Sequence, residues 1–147
     1  MKVYFDVCCL NRLFDDQTQN KIRLETEAIV SMLKWCKDSS WILIGSDIIA
    51  LEISKNKDPI KMQKVTLLHE GATMQVKYNA HIKQRAEDFR NSGVKLFDSL
   101  HMASAEYAQA DMFFTVDKQL LNASTRTDIK INVVNPLNFY MEVLNDE

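Results

Sequence analysis

Short runs of β-branched and aromatic residues alternate with amphipathic segments along the whole chain, and this alternation limits the folds open to it. Several of the runs are apolar throughout, which indicates strands buried on both faces of a parallel sheet. The pattern therefore predicts an α/β protein, with helices covering a central parallel sheet on both sides. Five runs are predicted to be strands: Val3–Asp6, Trp41–Gly45, Ala72–Val76, Met112–Thr115 and Ile131–Asn135.

The segments between these runs predict helices. Between Lys21 and Lys37, apolar residues recur at spacings of seven, four and three, so they form a stripe along one helical face. Asp58-Pro59 and Asn135-Pro136 each place a capping side chain before a proline, which is typical of a helix start. The helix after Asp58 is expected to end near Gly71. The other predicted helices are Asp47–Ser54, Tyr78–Phe89 and Phe97–Ala108.

The composition is that of an ordinary globular protein. The chain has 147 residues, of which 46% are hydrophobic and 26% charged, and only three glycines and two prolines interrupt it. With no linker at which to divide the sequence, we expect a single domain over residues 1–147. No apolar run approaches the roughly 18 residues of a membrane helix, and no signal peptide pattern opens the chain. These features predict a soluble, cytoplasmic protein.

Charge and cysteine content argue against an indiscriminate nucleic-acid-binding protein and against a zinc-binding protein. The balance of 18 basic and 20 acidic residues gives a net charge of −2, so the chain is not coated in positive charge for indiscriminate nucleic-acid binding. The three cysteines, Cys8, Cys9 and Cys36, have no spacing of the zinc type. We therefore expect reduced thiols packed as small hydrophobic residues.

Four acidic residues are predicted to meet at one edge of the sheet. Asp6 closes the first strand, Glu52 lies in the helix after the second, and Asp98 begins the helix before the fourth. Asp117 follows the fourth strand. In a parallel α/β sheet the carboxyl ends of strands share an edge with the amino ends of helices, and ligands bind at that edge. Isolated acids at helix starts are usually caps, and this alternative applies to Asp98 and Asp117 in particular.

Converging carboxylates repel one another unless cations lie among them, which points to a divalent metal. An all-oxygen set of ligands suits Mg²⁺ or Mn²⁺ better than zinc. Such a site favours hydrolysis of a phosphodiester bond in nucleic acid. Basic residues adjacent to these positions are candidates for phosphate binding, with Arg12 and Lys118 preferred. The other four are Lys55, Lys57, Arg90 and Lys95.

The sequence resembles the PIN domain, the metal-dependent ribonuclease fold of VapBC-type toxins and RNA-processing nucleases. The resemblance runs from Met1 to about Val134 and rests on the order and spacing of four motifs. These are Val3-Tyr4-Phe5-Asp6 with Leu10-Asn11, Ser46 six residues before Glu52, Phe97-Asp98-Ser99-Leu100-His101-Met102-Ala103, and Ala110-Asp111-Met112-Phe113-Phe114-Thr115-Val116-Asp117. Many relatives carry Ser or Thr where this chain has Cys8.

The resemblance implies a sheet of four or five parallel strands, with Asp6, Glu52, Asp98 and Asp117 as metal-binding catalytic acids. It makes Thr115 a helper near the fourth acid, and we expect Thr115 to bind substrate together with Arg12 and Lys118. It also implies an RNA substrate, a homodimer and, for toxin members, a small antitoxin protein that blocks the cleft.

These patterns predict a metal-dependent endoribonuclease, and the resemblance to VapBC-type toxins implies the toxin of a toxin–antitoxin pair. We expect Mg²⁺ or Mn²⁺ held by Asp6 and Asp98 to lower the pKa of a bound water, with Glu52 and Asp117 completing the site directly or through water. His101, three residues after Asp98, is expected to pack or to support the ligands rather than to act as a base. The alternative is a catalytically weak module of the same fold that binds RNA or a protein partner.

Overall fold

The computed structural model describes residues 1–38 and 40–146, and in them strands and helices alternate along the chain. All strand pairs are parallel, and the sheet order is β3-β2-β1-β4-β5. This sheet confirms the predicted α/β class and has five strands. They are β1 (Lys2–Phe5), β2 (Ile42–Ser46), β3 (Met74–Val76), β4 (Met112–Phe114) and β5 (Asn132–Val134).

All the predicted helices are present, with ends that differ by a few residues. Two short helices, α1 and α7, were not predicted, because six or seven residues are too few to show helical periodicity. The helices are α1 (Val7–Arg12), α2 (Asn20–Lys37), α3 (Asp47–Ser54), α4 (Pro59–His69), α5 (Ala80–Asn91), α6 (Leu96–Tyr107), α7 (Lys118–Ser124) and α8 (Pro136–Asn145).

The helices form a layer on each face of the sheet. The crossovers from β1 to β2 to β3 run in one direction across the sheet, and the return to β4 runs in the other. Right-handed crossovers therefore place α5 and α6 on the face opposite α2 and α4. Helices α5 and α6 pack against each other, while α2 packs against α1 and α8. None of the helices in the described part of the chain combines the length and apolarity that crossing a membrane requires.

The middle of the sheet is the centre of the core. Tyr4 and Phe5 on β1 are essentially fully buried, as are Phe113 and Phe114 on β4. The Tyr4 and Phe113 rings stack with centroids 5.3 Å apart, and those of Phe5 and Phe114 lie 5.1 Å apart. Because β1 lies between β2 and β4, the residue that follows it emerges at the middle of the carboxyl edge.

Gly45 on β2 allows the end of α4 to approach the sheet closely. A Cβ atom at this position would lie 2.7 Å from His69 Nε2 and 2.5 Å from Gln75 Nε2, well inside contact distance. His69 Nε2 accepts a hydrogen bond of 3.2 Å from the Ser46 amide. Since that bond requires a neutral ring, the lowered pKa of His69, caused mainly by burial, suits this position.

Candidate active site

Asp6 lies directly after β1, one residue beyond the observed end of the strand and at the start of α1. It is only 5% exposed, yet its side chain makes no capping hydrogen bond to the helix. Instead, Oδ2 accepts hydrogen bonds from Thr115 Oγ1 at 2.9 Å and from Cys8 Sγ at 3.2 Å. The carboxylate of Asp6 is therefore held by side chains at the sheet edge rather than by its own helix.

Thr115 follows β4 and fixes the geometry around Asp6. Its hydroxyl donates to Asp6 and accepts a hydrogen bond of 3.1 Å from the Asp117 amide. The residue is fully buried. Thr115 was predicted as a substrate-binding helper, but in this structure its hydroxyl acts on the candidate metal ligand Asp6 and has no surface to offer a substrate.

A chain of buried hydrogen bonds leads from the sheet to Glu52. The Glu52 carboxylate, on α3, lies 2.7 Å from His101 Nε2, and the other ring nitrogen, Nδ1, lies 2.7 Å from the Tyr4 hydroxyl. That hydroxyl lies 2.8 Å from Ser46 Oγ, which also accepts a hydrogen bond of 3.0 Å from the Ile49 amide. Tyr4, Ser46 and His101 are essentially fully buried.

One assignment of protons satisfies every group in this chain. With a neutral His101 ring, Nε2–H donates to Glu52 and Nδ1 accepts from the Tyr4 hydroxyl, which in turn accepts from Ser46. Burial raises the pKa of Tyr4 well above its ordinary value, so the hydroxyl keeps its proton. Burial lowers the pKa of His101, but the hydrogen bond to Glu52 and the charge of Asp6 outweigh it and the net shift is upward. If the ring takes a second proton, Nδ1–H donates to the same Tyr4 oxygen. Both ring nitrogens of His101 are therefore occupied.

Negative charge is concentrated at this edge of the sheet. Ligand atoms of Asp6, Glu52 and His101 all lie within 4.8 Å of one another. Asp98, in the first turn of α6, is half-buried, and burial together with the charges of Asp6 and Asp117 raises its pKa to about 6. Carboxyl groups that disfavour one another's ionisation in this way provide a favourable environment for a cation. The oxygen donors fit Mg²⁺ or Mn²⁺.

Asp117 has two roles at the site. Its Oδ1 accepts a hydrogen bond of 2.8 Å from the Gln119 amide, so the carboxylate caps α7, as the alternative interpretation of this residue predicted. Its charge also contributes to the raised pKa of Asp98. Asp117 therefore acts electrostatically on Asp98 while one of its oxygens is committed to the helix. Lys118, predicted to bind phosphate, is exposed at the first position of α7.

Arg12, the other preferred phosphate ligand, ties α1 to α2. Its guanidinium lies 3.1 Å from Asp15 Oδ2, and Nε lies 3.1 Å from Glu25 Oε1. Neither Nε nor Oε1 makes a hydrogen bond, so this second pair is an electrostatic contact. Glu25 is fully buried, and its other oxygen accepts a hydrogen bond of 2.8 Å from Asn135 Nδ2. Arg12 would have to leave two carboxylates to reach a phosphate.

We call Asp6, Glu52, Asp98 and Asp117 the acidic cluster, and two pockets each include one of these residues. A pocket of about 320 Å³ includes Asp98 in its wall together with Lys95 and Arg126, and we call it the Asp98 pocket. A smaller pocket of about 170 Å³ includes Glu52, Asn11 and Lys55. We call this one the Glu52 pocket. The Lys55 ammonium lies 5.9 Å from the centre of the Phe97 ring. Two of the acids thus line pockets that also contain basic residues.

Some residues of the site were not predicted from sequence as parts of it. Tyr4 and Ser46 belong to the motifs that carry the PIN resemblance, but a tyrosine in a buried strand gives no sign that its hydroxyl supports a ligand. Arg126 follows α7, a helix too short for its periodicity to be recognised. Its place beside Asp98 depends on the packing of α7 against the sheet.

The fold also occurs in solved VapBC structures. One of these is the crystal structure of VapBC2 from Rickettsia felis bound to a DNA fragment from its promoter. A chain of that structure matches this protein with a TM-score of 0.63 and 12% sequence identity, and the match covers 92% of this chain and 98% of that chain. A chain of VapBC-1 from nontypeable Haemophilus influenzae has a TM-score of 0.60 and 14% identity, with the same coverage. The sequence matches no family model and no curated protein. The protein therefore has a VapC-like PIN-domain fold, established by structure.

Proposed function

We propose that this protein is a metal-dependent endoribonuclease and the toxin of a toxin–antitoxin pair. The observation that carries the proposal is the clustering of Asp6 and Glu52 within 4.8 Å beside Asp98, whose pKa is raised to about 6. The cluster lies at the carboxyl edge of a parallel sheet, where α/β proteins bind their ligands. The choice of RNA as substrate rests on the similarity of the sequence motifs to those of PIN ribonucleases.

Asp6, Glu52 and Asp98 would hold Mg²⁺ or Mn²⁺, with Asp117 completing the site directly or through water. When bound, the metal lowers the pKa of water and stabilises charge on the phosphate oxygens. Thr115 keeps Asp6 in place through its hydrogen bond of 2.9 Å.

His101 positions Glu52 in this proposal and is not itself a metal ligand. Both of its ring nitrogens already lie 2.7 Å from partners, Nε2 from Glu52 and Nδ1 from Tyr4. Coordination by either nitrogen would break one of these buried bonds and leave a polar group unpaired. A group that holds a metal ligand by a hydrogen bond fixes the orientation of that ligand and its affinity for the ion.

A protein partner is part of the proposal. The two structures that share the fold are of VapBC assemblies, which supports a small antitoxin as the partner. The chain also exposes large apolar side chains on neighbouring helices, Leu51 on α3 and both Ile60 and Leu67 on α4. Ile60 and Leu67 are seven residues apart, so they lie on one face of α4. Exposed apolar faces of this kind are typical of protein interfaces.

The direct test is cleavage of defined RNAs with Mn²⁺ and with EDTA, comparing the unchanged protein with Asp98→Asn. We expect cleavage only with metal and only by the unchanged protein, while both proteins keep the same circular dichroism spectrum and cooperative melting. Cleavage that persists in EDTA or in the Asp98→Asn variant would contradict the proposal. A folded protein that binds RNA but never cleaves it would instead support the weak-module alternative.

A further inference from the structure

We propose that the Asp98 pocket is a binding site for a nucleotide phosphate of single-stranded RNA, immediately beside the bond to be cut. Lys95 and Arg126 are the residues that bind the phosphate, and the side-chain amides of Gln119 and Asn122 are available to the attached nucleoside. The inference rests on the proposed nuclease function for its choice of RNA, but the charges and shape of the pocket are independent of any metal.

The pocket has the size and chemistry that a nucleotide requires. Its volume of about 320 Å³ is at the lower end of the usual range for small-molecule sites, and its walls combine two cations, two neutral amides and the Asp98 carboxylate, a net positive charge. Lys95 Nζ donates a hydrogen bond of 2.8 Å to Gln119 Oε1, which holds the ammonium at the pocket wall. That amide oxygen leaves the positive charge of Lys95 uncompensated, so the charge remains available to an anion.

Arg126 is the second cation, and it makes no ion pair with any residue in the described part of the chain. Every ion pair found within residues 1–38 and 40–146 involves other residues. Its guanidinium lies beside Gly93, where a Cβ atom would be 3.9 Å from Nη2. Gly93 has a φ of 97°, a conformation that favours glycine, and it turns the chain between α5 and Lys95. An unpaired guanidinium in a concave site suits phosphate in particular.

The position of the pocket identifies the nucleotide as a neighbour of the scissile bond. Asp98 lines the pocket and also belongs to the acidic cluster, so a phosphate held by Arg126 and Lys95 lies beside the candidate metal site rather than on it. The Glu52 pocket is a separate pocket that includes another acid of the cluster, and it contains Lys55 and the buried, unpaired Oδ1 of Asn11. A polynucleotide that contacts both pockets would therefore meet a cation in each.

The ligand is inferred to be single-stranded because both pockets are concave and small. A duplex keeps its bases paired and presents a continuous convex backbone, whereas an unpaired nucleotide can place its base in a pocket and its phosphate on the rim. Amide side chains such as Gln119 and Asn122 pair with the edges of exposed bases.

The test measures binding of a fluorescein-labelled single-stranded RNA hexanucleotide in EDTA, where cleavage cannot occur, over a series of salt concentrations. The variants are Lys95→Gln, Arg126→Gln and both together. Lys37→Gln is the matched control, because Lys37 is exposed in the last turn of α2, at the opposite edge of the sheet. An unlabelled duplex of the same sequence serves as competitor.

We expect each pocket variant to weaken binding roughly tenfold and to reduce the slope of log affinity against log salt by about 0.7, the value for one lost phosphate contact on a single strand. The control should change neither. The proposal is overturned if the unchanged protein does not bind, if the control loses as much as the pocket variants, or if the duplex competes as well as the single strand. Because no metal is present, weaker RNA binding by the variants supports the pocket proposal even if cleavage is never detected. If the variants bind RNA as tightly as the unchanged protein and metal-dependent cleavage is observed, the pocket proposal fails while the proposed nuclease function stands.

Discussion

His101 Nε2 lies 2.7 Å from Glu52 Oε1, so a fully buried imidazole holds one carboxylate of the acidic cluster. The imidazole is in turn held by Tyr4, which belongs to the central strand. The orientation of a candidate metal ligand on α3 is therefore set by residues of β1 and α6.

Replacing His101 by alanine is expected to weaken Mn²⁺ binding by about 10- to 100-fold, the usual effect of removing a group that orients a metal ligand. Isothermal titration of the metal-free protein measures this affinity. His81→Ala is the matched control because His81 is exposed near the start of α5. If His101→Ala binds Mn²⁺ as tightly as the control does, Glu52 does not depend on His101.

Tyr4→Phe tests the same chain of hydrogen bonds from its other end. It removes one oxygen and leaves His101 Nδ1 and Ser46 Oγ without their shared partner, so we expect the free energy of unfolding to fall by about 1 to 3 kcal/mol. Urea denaturation of the metal-free protein gives this value. Tyr107→Phe, at an exposed position, should change it little. An equally stable Tyr4→Phe variant would show that the chain contributes nothing to folding.

Asp98 is expected to destabilise the metal-free protein at neutral pH. Its pKa rises from 3.8 to about 6 on folding, mainly through burial and the charge of Asp6, so the folded state holds the proton more tightly than the unfolded state. Stability from this group is present below pH 4 and is lost as the pH rises through about 6. After allowance for partial exposure to solvent, the loss is roughly 1 to 2 kcal/mol.

In EDTA at pH 7.5, Asp98→Asn should therefore be more stable than the unchanged protein, and the difference should shrink as the pH falls from 6 to 4. Urea unfolding across this range measures it, with Asp146→Asn as the control for loss of an exposed charge. A difference that does not vary with pH would mean that the pKa of Asp98 is not raised in the folded protein.

Metal binding should reverse the repulsion among these acids. At a Mn²⁺ concentration 100 times the Kd, a single site that binds only the folded protein adds about 2.7 kcal/mol to the free energy of unfolding. We expect a higher melting temperature with Mn²⁺ for the unchanged protein and none of this gain for Asp6→Asn. Equal gains for the two proteins would remove Asp6 from the site.

Arg12 is expected to matter for folding more than for substrate binding. Arg12→Met leaves the fully buried Glu25 without its countercharge, and losses of this kind cost about 3 to 5 kcal/mol. Adding Glu25→Gln removes the buried charge and should restore much of the stability. Denaturant unfolding of the single and double variants decides this. If Arg12→Met weakens RNA binding and leaves stability intact, Arg12 is the phosphate ligand that the sequence predicted.

The sequence was sufficient to predict the sheet and the helices around it, because the buried strands are apolar and the long helices are periodic. Asp6 could be predicted as more than a cap for the same reason, since it ends a run that has to be buried. The roles of Tyr4 and Arg126 could not be predicted in this way. The role of Tyr4 depends on a contact with His101, about 100 positions away in the sequence. The role of Arg126 depends on the position of α7, a helix of seven residues that is too short to give a periodic signal.

β1 carries the Tyr4 hydroxyl and ends one residue before the candidate ligand Asp6. A shift of this strand by a single residue would turn Tyr4 to the other face of the sheet and would move Asp6 along the sheet edge. The position of Asp6 and the hydrogen bonds that hold Glu52 therefore both depend on the register of the four residues of β1. A chain whose central strand is out of register would lack the candidate metal site.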